Sequence, residues 1–500
     1  MIAPAPSRHR VMRAGAWSFA LLAAEKLIGF ARVIVLAAFL SPREFGLFGM
    51  ALLTLTALDT FTRTGFQQAL IREPREIDRH LDVAWSVHLL RGLLLAALIA
   101  ALAPFAAAYF HESGAARLMR AIALILVFQG ASNIGVIYFQ KELNFRREFL
   151  YRISGTLADL SVSVCGAWLL HSAWALVLGL IASDFTLMIV SYVIHPYRPR
   201  LRFAKGPLLD LVRYGVWVSL TGVMLFAGTR AAGLVVGKIA GATALGLYQM
   251  AYRIPQIAVR EVAAAIDRIA LPTYALVQHD VARLRRSYLA LGGLCLALAA
   301  PAACGIALLG PPFVRFFMHA DWSPMVGALV LLALSALIRV IPATGIPLFQ
   351  ACGAPHLGFL IQCARALALG IFIVPLTRRW GITGAAVCMF ITALAGATVW
   401  LHGMRKITGW GLRDMRPLLP PLVSAAAMGA VLYPLKAWSL PYVTGSIVVR
   451  AAWLAGMVLT GLTLYVVALW IVLRISRSAL LDTAREILRT RATVFMGGGR

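Results

Sequence analysis

Acidic residues are scarce in this 500-residue chain, which has 20 Asp and Glu against 47 Lys and Arg. Charged residues make up only 13% of the sequence, whereas about a quarter is usual in a soluble domain. With a hydrophobic fraction of 61%, this composition excludes a soluble globular enzyme. It also excludes a disordered chain, because disorder requires low hydrophobicity.

Cysteines are few, and their pattern predicts no metal or disulfide chemistry. All 6 lie in apolar runs, with no Cys-X-X-Cys spacing and no histidine at ligand spacing. The pattern indicates core packing rather than a disulfide framework or a zinc site. No metal and no cofactor are predicted.

Apolar runs fill most of the chain. A transmembrane helix needs about 20 residues, and runs bounded by charges, proline or glycine predict an all-α integral membrane protein with about 14 such helices. The predicted spans are residues 15–40, 46–68, 83–108, 116–137, 151–170, 173–194, 208–231, 244–266, 287–309, 323–345, 356–377, 381–402, 417–435 and 447–473.

Positive charge is distributed unevenly over the predicted loops. With the N-terminus in the cytoplasm, 29 of the 47 Lys and Arg fall on inside segments, 8 on outside segments and 10 within spans. Because cytoplasmic loops are enriched in Lys and Arg, both termini are predicted to be cytoplasmic. The net charge of +27 then reflects topology rather than nucleic-acid binding. No loop is long enough for a soluble catalytic domain.

An internal repeat appears when the sequence is aligned with itself at an offset of 200 residues. Residues 13–17 align with 213–217 and residues 45–51 with 245–251, with 9 identities in 39 positions. The repeat predicts two six-helix lobes in a parallel pseudo-twofold arrangement, with substrate binding where they meet. The predicted organisation is an N-terminus (1–14), an N-lobe (15–194), a linker (195–206), a C-lobe (207–405), an extra helix pair (406–475) and an amphipathic cytoplasmic tail (476–500).

Cations within the spans are the candidate substrate-binding residues. An ionisable residue there costs at least ~2.5–3.5 kcal/mol on insertion scales and is a functional candidate by default, and guanidinium groups bind phosphate through a bidentate fork. Arg32, Arg339 and Arg365 lie deepest and are predicted to line one cavity. Further candidates are Arg230, Arg253 and Arg63, whereas Arg91, Arg260 and Arg450 lie near span ends and are interpreted as contacting lipid headgroups.

Acids within the spans are the candidate ion-coupling residues. Asp59, Asp159 and Glu25 could each bind a proton or sodium in a cavity. Asp59 and Asp159 could equally be neutral or serve as counter-ions of a nearby arginine. Glu25 shares a helix face with Arg32 two turns away, which allows a bridged network but not a direct pair. The segment 341–347, rich in proline and glycine, is either a hinge or a turn.

Several motifs resemble one family of membrane proteins. They begin at Leu40-Ser41-Pro42-Arg43-Glu44-Phe45-Gly46-Leu47. The others, in the same order as in the family, are residues 65–72, 139–145, 173–177, 236–238, 245–248, 251–253 and 271–272. Across residues 15–405 the sequence resembles the bacterial polysaccharide and oligosaccharide flippases of the multidrug/oligosaccharidyl-lipid/polysaccharide exporter superfamily.

The resemblance implies a function as well as a fold. It implies twelve core helices in two lobes that flip a polyprenyl-diphosphate glycan from the inner to the outer leaflet of the bacterial cytoplasmic membrane, with glycan polymerases or glycosyltransferases as partners. No bond is made or broken, so no enzyme is expected. Relatives often carry an aspartate a few residues before Val236-Gly237-Lys238, where this chain has Ala232 and, close by, Arg230. No particular cation site is therefore carried over.

Three other functions remain open at this point. A cation-coupled multidrug exporter of the same superfamily would favour acids in its cavity, whereas this chain has ten in-span cations against five acids. A membrane-embedded glycan polymerase or ligase would need a long outer loop or paired carboxylates, and neither is found in the sequence. A purely structural membrane subunit would not need so many intramembrane charges.

Overall fold

Helices follow one another along the whole described chain. The computed structural model describes residues 8–62, 78–141, 144–202, 205–443 and 445–475. The α-helices are α1 (Arg8–Phe39), α2 (Pro42–Phe61), α3 (Asp78–Phe110), α4 (Ala115–Ile122), α5 (Leu124–Ala131), α6 (Ile137–Lys141), α7 (Phe145–Leu170), α8 (Trp174–Ile194), α9 (Lys205–Leu276), α10 (Val281–Phe317), α11 (Met325–Ala351), α12 (Pro355–Thr408), α13 (Leu419–Ser439) and α14 (Ile447–Ile475).

This architecture confirms the predicted all-α membrane fold. Within the described ranges, 9 helices are long and apolar enough to cross a bilayer. The two longest helices each contain two predicted spans. Helix α9 turns at Gly241, with φ of 81°, and α12 turns at Gly381, with φ of 55°. Only glycine adopts such φ values readily, which explains why both hairpins turn there.

One predicted span is divided rather than continuous. Residues 116–137 form α4, α5, a short 3₁₀ turn at Ile134–Val136 and the start of α6. The side chain of Asn133 accepts a hydrogen bond from the backbone N–H of Gly135 at 2.9 Å. An asparagine side chain competes with the helical backbone for such hydrogen bonds. This interaction therefore interrupts the helix that hydropathy predicts as continuous.

The interpretation of residues 341–347 as a turn is wrong. Helix α11 continues through Pro342, Gly345 and Pro347 to Ala351. A Cβ atom at Gly345 would lie only 2.2 Å from Nε1 of Trp400, so this glycine allows α11 and α12 to pack closely. Neighbouring helices can support a membrane helix that contains proline and glycine, and this packing explains the continuity.

The helices form two compact units, residues 1–247 and 248–500. In the first unit, α2, α3, α4, α5 and α8 enclose an apolar core whose fully buried members include Met50, Ile99 and Ile122. In the second, α9 to α12 enclose an aromatic core that includes Tyr274, Tyr288 and Trp400. The predicted lobe and linker boundaries, with the linker at 195–206, stay a prediction, and the tail 476–500 lies outside the described residues.

Proline and lysine complement each other where α10 meets α13. Pro312 has no N–H to donate to the carbonyl of Leu308 four residues earlier. The Nζ of Lys436 donates to that carbonyl at 3.1 Å. A half-buried cation on α13 therefore supplies the hydrogen bond that the proline removes.

Two glycines that align in the predicted repeat pack against each other in the first unit. A Cβ atom at Gly46 would lie 1.7 Å from the carbonyl oxygen of Ala242, and one at Gly246 would lie 1.9 Å from that of Pro42. Since Pro42 and Ala242 are also 200 residues apart, the contact is reciprocal, as in a twofold interface. Such close backbone approach requires glycine on both helices.

We expect Gly246→Ala to destabilise the protein, because no side chain fits between α9 and α2. The thermal midpoint of the detergent-purified protein should fall by several degrees, because overpacking usually lowers the free energy of unfolding by about 1–3 kcal/mol. The matched control is Gly228→Ala on the same helix, where no atom lies within 4 Å of the new Cβ. Equal thermal midpoints for the two variants would contradict the close contact.

Candidate functional site

A buried ion pair joins α1 and α7 in the first unit. The Nη2 of Arg32 lies 2.8 Å from Oδ1 of Asp159, with side-chain exposures of 9% and 15%. The Nε of Arg32 also donates to Oγ of Ser163 at 3.0 Å. Gly179 on α8 makes room for this cluster, since a Cβ there would lie 2.6 Å from Oδ1 of Asp159.

This pair resolves one alternative that the sequence leaves open. Asp159 is the counter-ion of an arginine within the apolar part of the unit. The contact between Nη2 and Oδ1 is close but lacks hydrogen-bond geometry, so the guanidinium has a buried donor that the described residues do not engage. The pair therefore neutralises Arg32 without using all of its hydrogen-bonding capacity.

A second carboxylate lies near the first. Oδ1 of Asp184 accepts a hydrogen bond from Nε2 of Gln129 at 3.0 Å, and the charge of Asp159 acts on Asp184. The unit thus holds one arginine and two acids in a compact polar cluster.

Asp59 is also paired, but at the end of a helix. Nη2 of Arg91 lies 2.6 Å from Oδ1 of Asp59. The same guanidinium donates to the backbone carbonyls of Asp59 and Thr62, at 3.0 and 2.8 Å. These bonds satisfy carbonyls that the helix end leaves open. The interpretation of Arg91 as a headgroup contact is wrong, because its side chain caps α2.

The second unit brings two predicted cations together without an acid. Arg339 on α11 and Arg365 on α12 are half-buried, and the charge of Arg339 acts on Arg365. Cζ of Arg339 lies 6.0 Å from the ring centre of Tyr252 on α9. Arg365 packs over Gly396, where a Cβ would lie 2.9 Å from its Cδ. We call Arg339, Arg365, Tyr252 and Gly396 the arginine cluster.

The arginine cluster is unbalanced in charge. Among the described residues, neither guanidinium has an acidic partner, and Nη1 of Arg365 donates a long hydrogen bond of 3.4 Å to Oε1 of Gln362. Two like charges near each other in an apolar environment repel and lose hydration. The arrangement weakens the fold unless an anion or a hydrated space compensates for it.

The remaining candidates are not part of either cluster. Arg230 and Arg253 have exposed side chains, and Glu25 is half-buried on α1. Arg63 lies outside the described residues, and the side chain of Arg260 is not described. In the part of the chain that is described, no three His, Cys, Asp or Glu side chains form a group that could hold a metal ion.

The structure adds residues that sequence reasoning missed. Ser163, Gly179 and Gly396 position the charged groups but carry no charge, so no sequence signal separates them from ordinary small residues of a membrane helix. Tyr252 stands next to Arg253 in a family-like motif and could have been singled out as an aromatic surface for a cation.

The fold is shared with solved membrane proteins. The chain superimposes on the lipid II flippase MurJ in an inward closed conformation with a TM-score of 0.72 and 16% identity, covering 93% of this chain and 99% of that one. An inward-facing multidrug resistance MATE family transporter matches with a TM-score of 0.58 and 18% identity, over 77% of this chain and 95% of that one. This fold defines a multi-pass, all-helical membrane protein.

Sequence comparison narrows the class to a family. A family model described as "Polysaccharide biosynthesis protein" matches residues 35–327. The lipopolysaccharide biosynthesis protein WzxC of Escherichia coli K12 is 22% identical over 66% of this chain and 68% of its own length. The succinoglycan biosynthesis transport protein ExoT of Rhizobium meliloti is 25% identical over 73% and 74%. The chain belongs to the polysaccharide biosynthesis protein family, which confirms the resemblance.

We expect Asp159→Asn to destabilise the first unit, because it leaves the guanidinium of Arg32 buried without a counter-charge. Breaking a buried pair in this way costs about 3–5 kcal/mol, and the thermal midpoint should fall clearly. The double variant Arg32→Gln with Asp159→Asn should recover part of the loss.

The matched control for this experiment is an exposed pair in the same unit. Arg43 and Glu112 are 3.1 Å apart, with 57% of the Arg43 side chain exposed. Arg43→Gln should change stability by less than about 1 kcal/mol. A thermal midpoint for Asp159→Asn equal to that of Arg43→Gln would contradict the buried pair.

Proposed function

We propose that this protein is a flippase that moves a lipid-linked oligosaccharide, a polyprenyl-diphosphate glycan, across the bacterial cytoplasmic membrane. The glycan would move from the inner to the outer leaflet for surface or exopolysaccharide synthesis, by alternating access around a cationic central cavity. Both termini would be cytoplasmic. Relatives named for polysaccharide biosynthesis and transport, and a fold match named as a lipid flippase, support this proposal.

The observation that carries the proposal is the arginine cluster. A diphosphate bearing sugars cannot cross hydrocarbon unaided, because burying unpaired charge and unsatisfied polar groups is prohibitively costly. A path for it needs cations that are not already neutralised. Arg339 and Arg365 meet this requirement within the described residues, and both present forked donors that suit phosphate oxygens.

Arg32 has a different role in this proposal. Its positive charge is neutralised by Asp159 at 2.8 Å. Protonation of Asp159 would release the guanidinium toward an anion, so anion binding and proton binding would be linked. Asp159 is thereby the preferred ion-coupling residue, ahead of Asp59, whose partner Arg91 also caps a helix end, and ahead of Glu25.

A multidrug exporter is the second candidate function. The match to a multidrug resistance MATE family transporter favours it at the level of the fold. Cationic drugs would be repelled by the arginine cluster, and this electrostatic mismatch is the reason that the flippase is preferred. A glycan polymerase or ligase has no observation in its favour. Glycosyltransferase genes beside the gene for this chain would support the flippase and the proposed biosynthetic partners.

We expect Arg339→Gln and Arg365→Gln each to reduce polysaccharide export, because each removes a donor for the anionic headgroup. Loss of one charge-assisted hydrogen bond worth about 1.5–3 kcal/mol should lower transport roughly tenfold or more at limiting substrate. The measurement is surface polysaccharide in a strain that depends on this gene, with the amount of membrane-inserted protein determined in parallel.

Arg379→Gln is the matched control for these variants. Arg379 lies on the same helix as Arg365, is exposed, and has its Cζ 5.3 Å from the ring centre of Trp380. The control should export normally. If Arg32→Gln, Arg339→Gln and Arg365→Gln all export as well as this control, the cationic path is wrong. If the arginine variants export polysaccharide normally but no longer confer drug resistance, the multidrug exporter would be favoured.

A further inference from the structure

One end of the second unit carries cations from three helices. Arg315 lies near the end of α10, Lys436 near the end of α13, and Arg450 near the start of α14. Residues 415–475 contain no acidic residue. The positive charge that α13 and α14 contribute at this end is therefore not balanced by acids of their own.

Aromatic side chains mark this end as the level of the lipid headgroups. Trp438 is 69% exposed and Tyr442 is 74% exposed, with their ring centres 5.9 Å apart. Exposed tryptophan and tyrosine concentrate at the boundary between hydrocarbon and water. By the distribution of Lys and Arg over the loops, this is the end predicted to face outward.

Lys436 already has a structural partner here. Its Nζ donates to the carbonyl of Leu308, which Pro312 leaves without an N–H. Its charge still contributes to the local potential, but its position is explained by packing. The positions of Arg315 and Arg450 are not explained by such a hydrogen bond.

Arg450 is held in place by aromatic rings. Its Cζ lies 5.8 Å from the ring centre of Phe316, and Phe316 contacts Trp453 edge to face at 5.7 Å. Nε1 of Trp453 donates to Oγ of Ser439 at 3.1 Å, which fixes the indole. The guanidinium is therefore oriented by a neighbouring helix rather than free to extend into water.

The Nε of Arg450 is buried and has no hydrogen-bond partner in the described part of the chain. A buried charged donor without an acceptor is costly, because it has lost its hydration without gaining a hydrogen bond. Arg450 also lies in the first turn of α14, where the helix dipole disfavours a cation. An anion beside the guanidinium would offset the cost of a positive charge at this helix start.

We propose that Arg450, positioned on Phe316 and assisted by exposed Arg315, forms a binding site for the phosphate of an anionic lipid headgroup. The site lies at the end of the unit where α10 and α13 end and α14 begins. Its ligand is a phosphate-bearing lipid of that leaflet, either a bilayer phospholipid or a prenyl-linked phosphate. The site is separate from the arginine cluster and does not depend on transport.

The test is native mass spectrometry of the full-length protein in detergent with defined lipids added. The probes are phosphatidylglycerol, zwitterionic phosphatidylcholine and undecaprenyl diphosphate, each supplied alone. Wild-type protein should bind an anionic probe in preference to phosphatidylcholine. Arg450→Gln should weaken that binding by about tenfold, the effect of one charge-assisted hydrogen bond.

Arg474→Gln is the matched control, because Arg474 lies on the same helix at its opposite end. Its Cζ is 3.9 Å from the ring centre of Trp470, four residues earlier, and its side chain is exposed. This variant should bind like the wild type. Phe316→Leu, which removes the ring under the guanidinium but no charge, should weaken binding and serves as the second variant if Arg450→Gln does not fold.

The possible outcomes distinguish between the two lipid ligands and also test whether the site exists. Selective phosphatidylglycerol binding that Arg450→Gln loses supports the site and identifies a bilayer phospholipid. Selective binding of undecaprenyl diphosphate alone supports it and identifies a prenyl-linked ligand. Wild-type protein without preference for an anionic probe, or equal losses in Arg450→Gln and Arg474→Gln, would overturn it.

Discussion

Every charge within this membrane protein must be compensated, because hydrocarbon provides no hydration. The first unit meets this constraint by pairing: Arg32 faces Asp159, and Arg91 faces Asp59. The second unit does not, because Arg339 and Arg365 lie near each other without an acid among the described residues. This contrast between a neutralised cation and an unbalanced cation pair underlies the functional assignment.

Small residues position the charged groups as much as charge does. Hydrocarbon is as apolar as a leucine side chain, so helices in a membrane associate through close packing rather than through a hydrophobic driving force. Gly179 allows α8 to approach Asp159, and Gly396 accommodates the stem of Arg365. The reciprocal approach at Gly46 and Gly246 joins α2 to α9 by the same means.

The membrane fold could be predicted because hydropathy has a length scale that the bilayer defines. Apart from the break within residues 116–137, the predicted spans fall mainly on helical structure within the described residues. The sequence-based prediction was wrong where a single side chain or a packing partner determines the backbone conformation. Asn133 interrupts an apolar run that hydropathy treats as one helix. At residues 341–347, where proline and glycine allowed either a hinge or a turn, the close packing of Gly345 on Trp400 accompanies a continuous helix.

The sequence by itself determined that the chain spans a membrane, which family it resembles and which charges lie at depth. Only the tertiary structure decided which of those charges are neutralised, because residues far apart along the chain, such as Arg32 and Asp159, meet only after helices pack. The same holds for Arg450: its position near a span end is readable from the sequence, whereas its unused donor above Phe316 is a property of three packed helices.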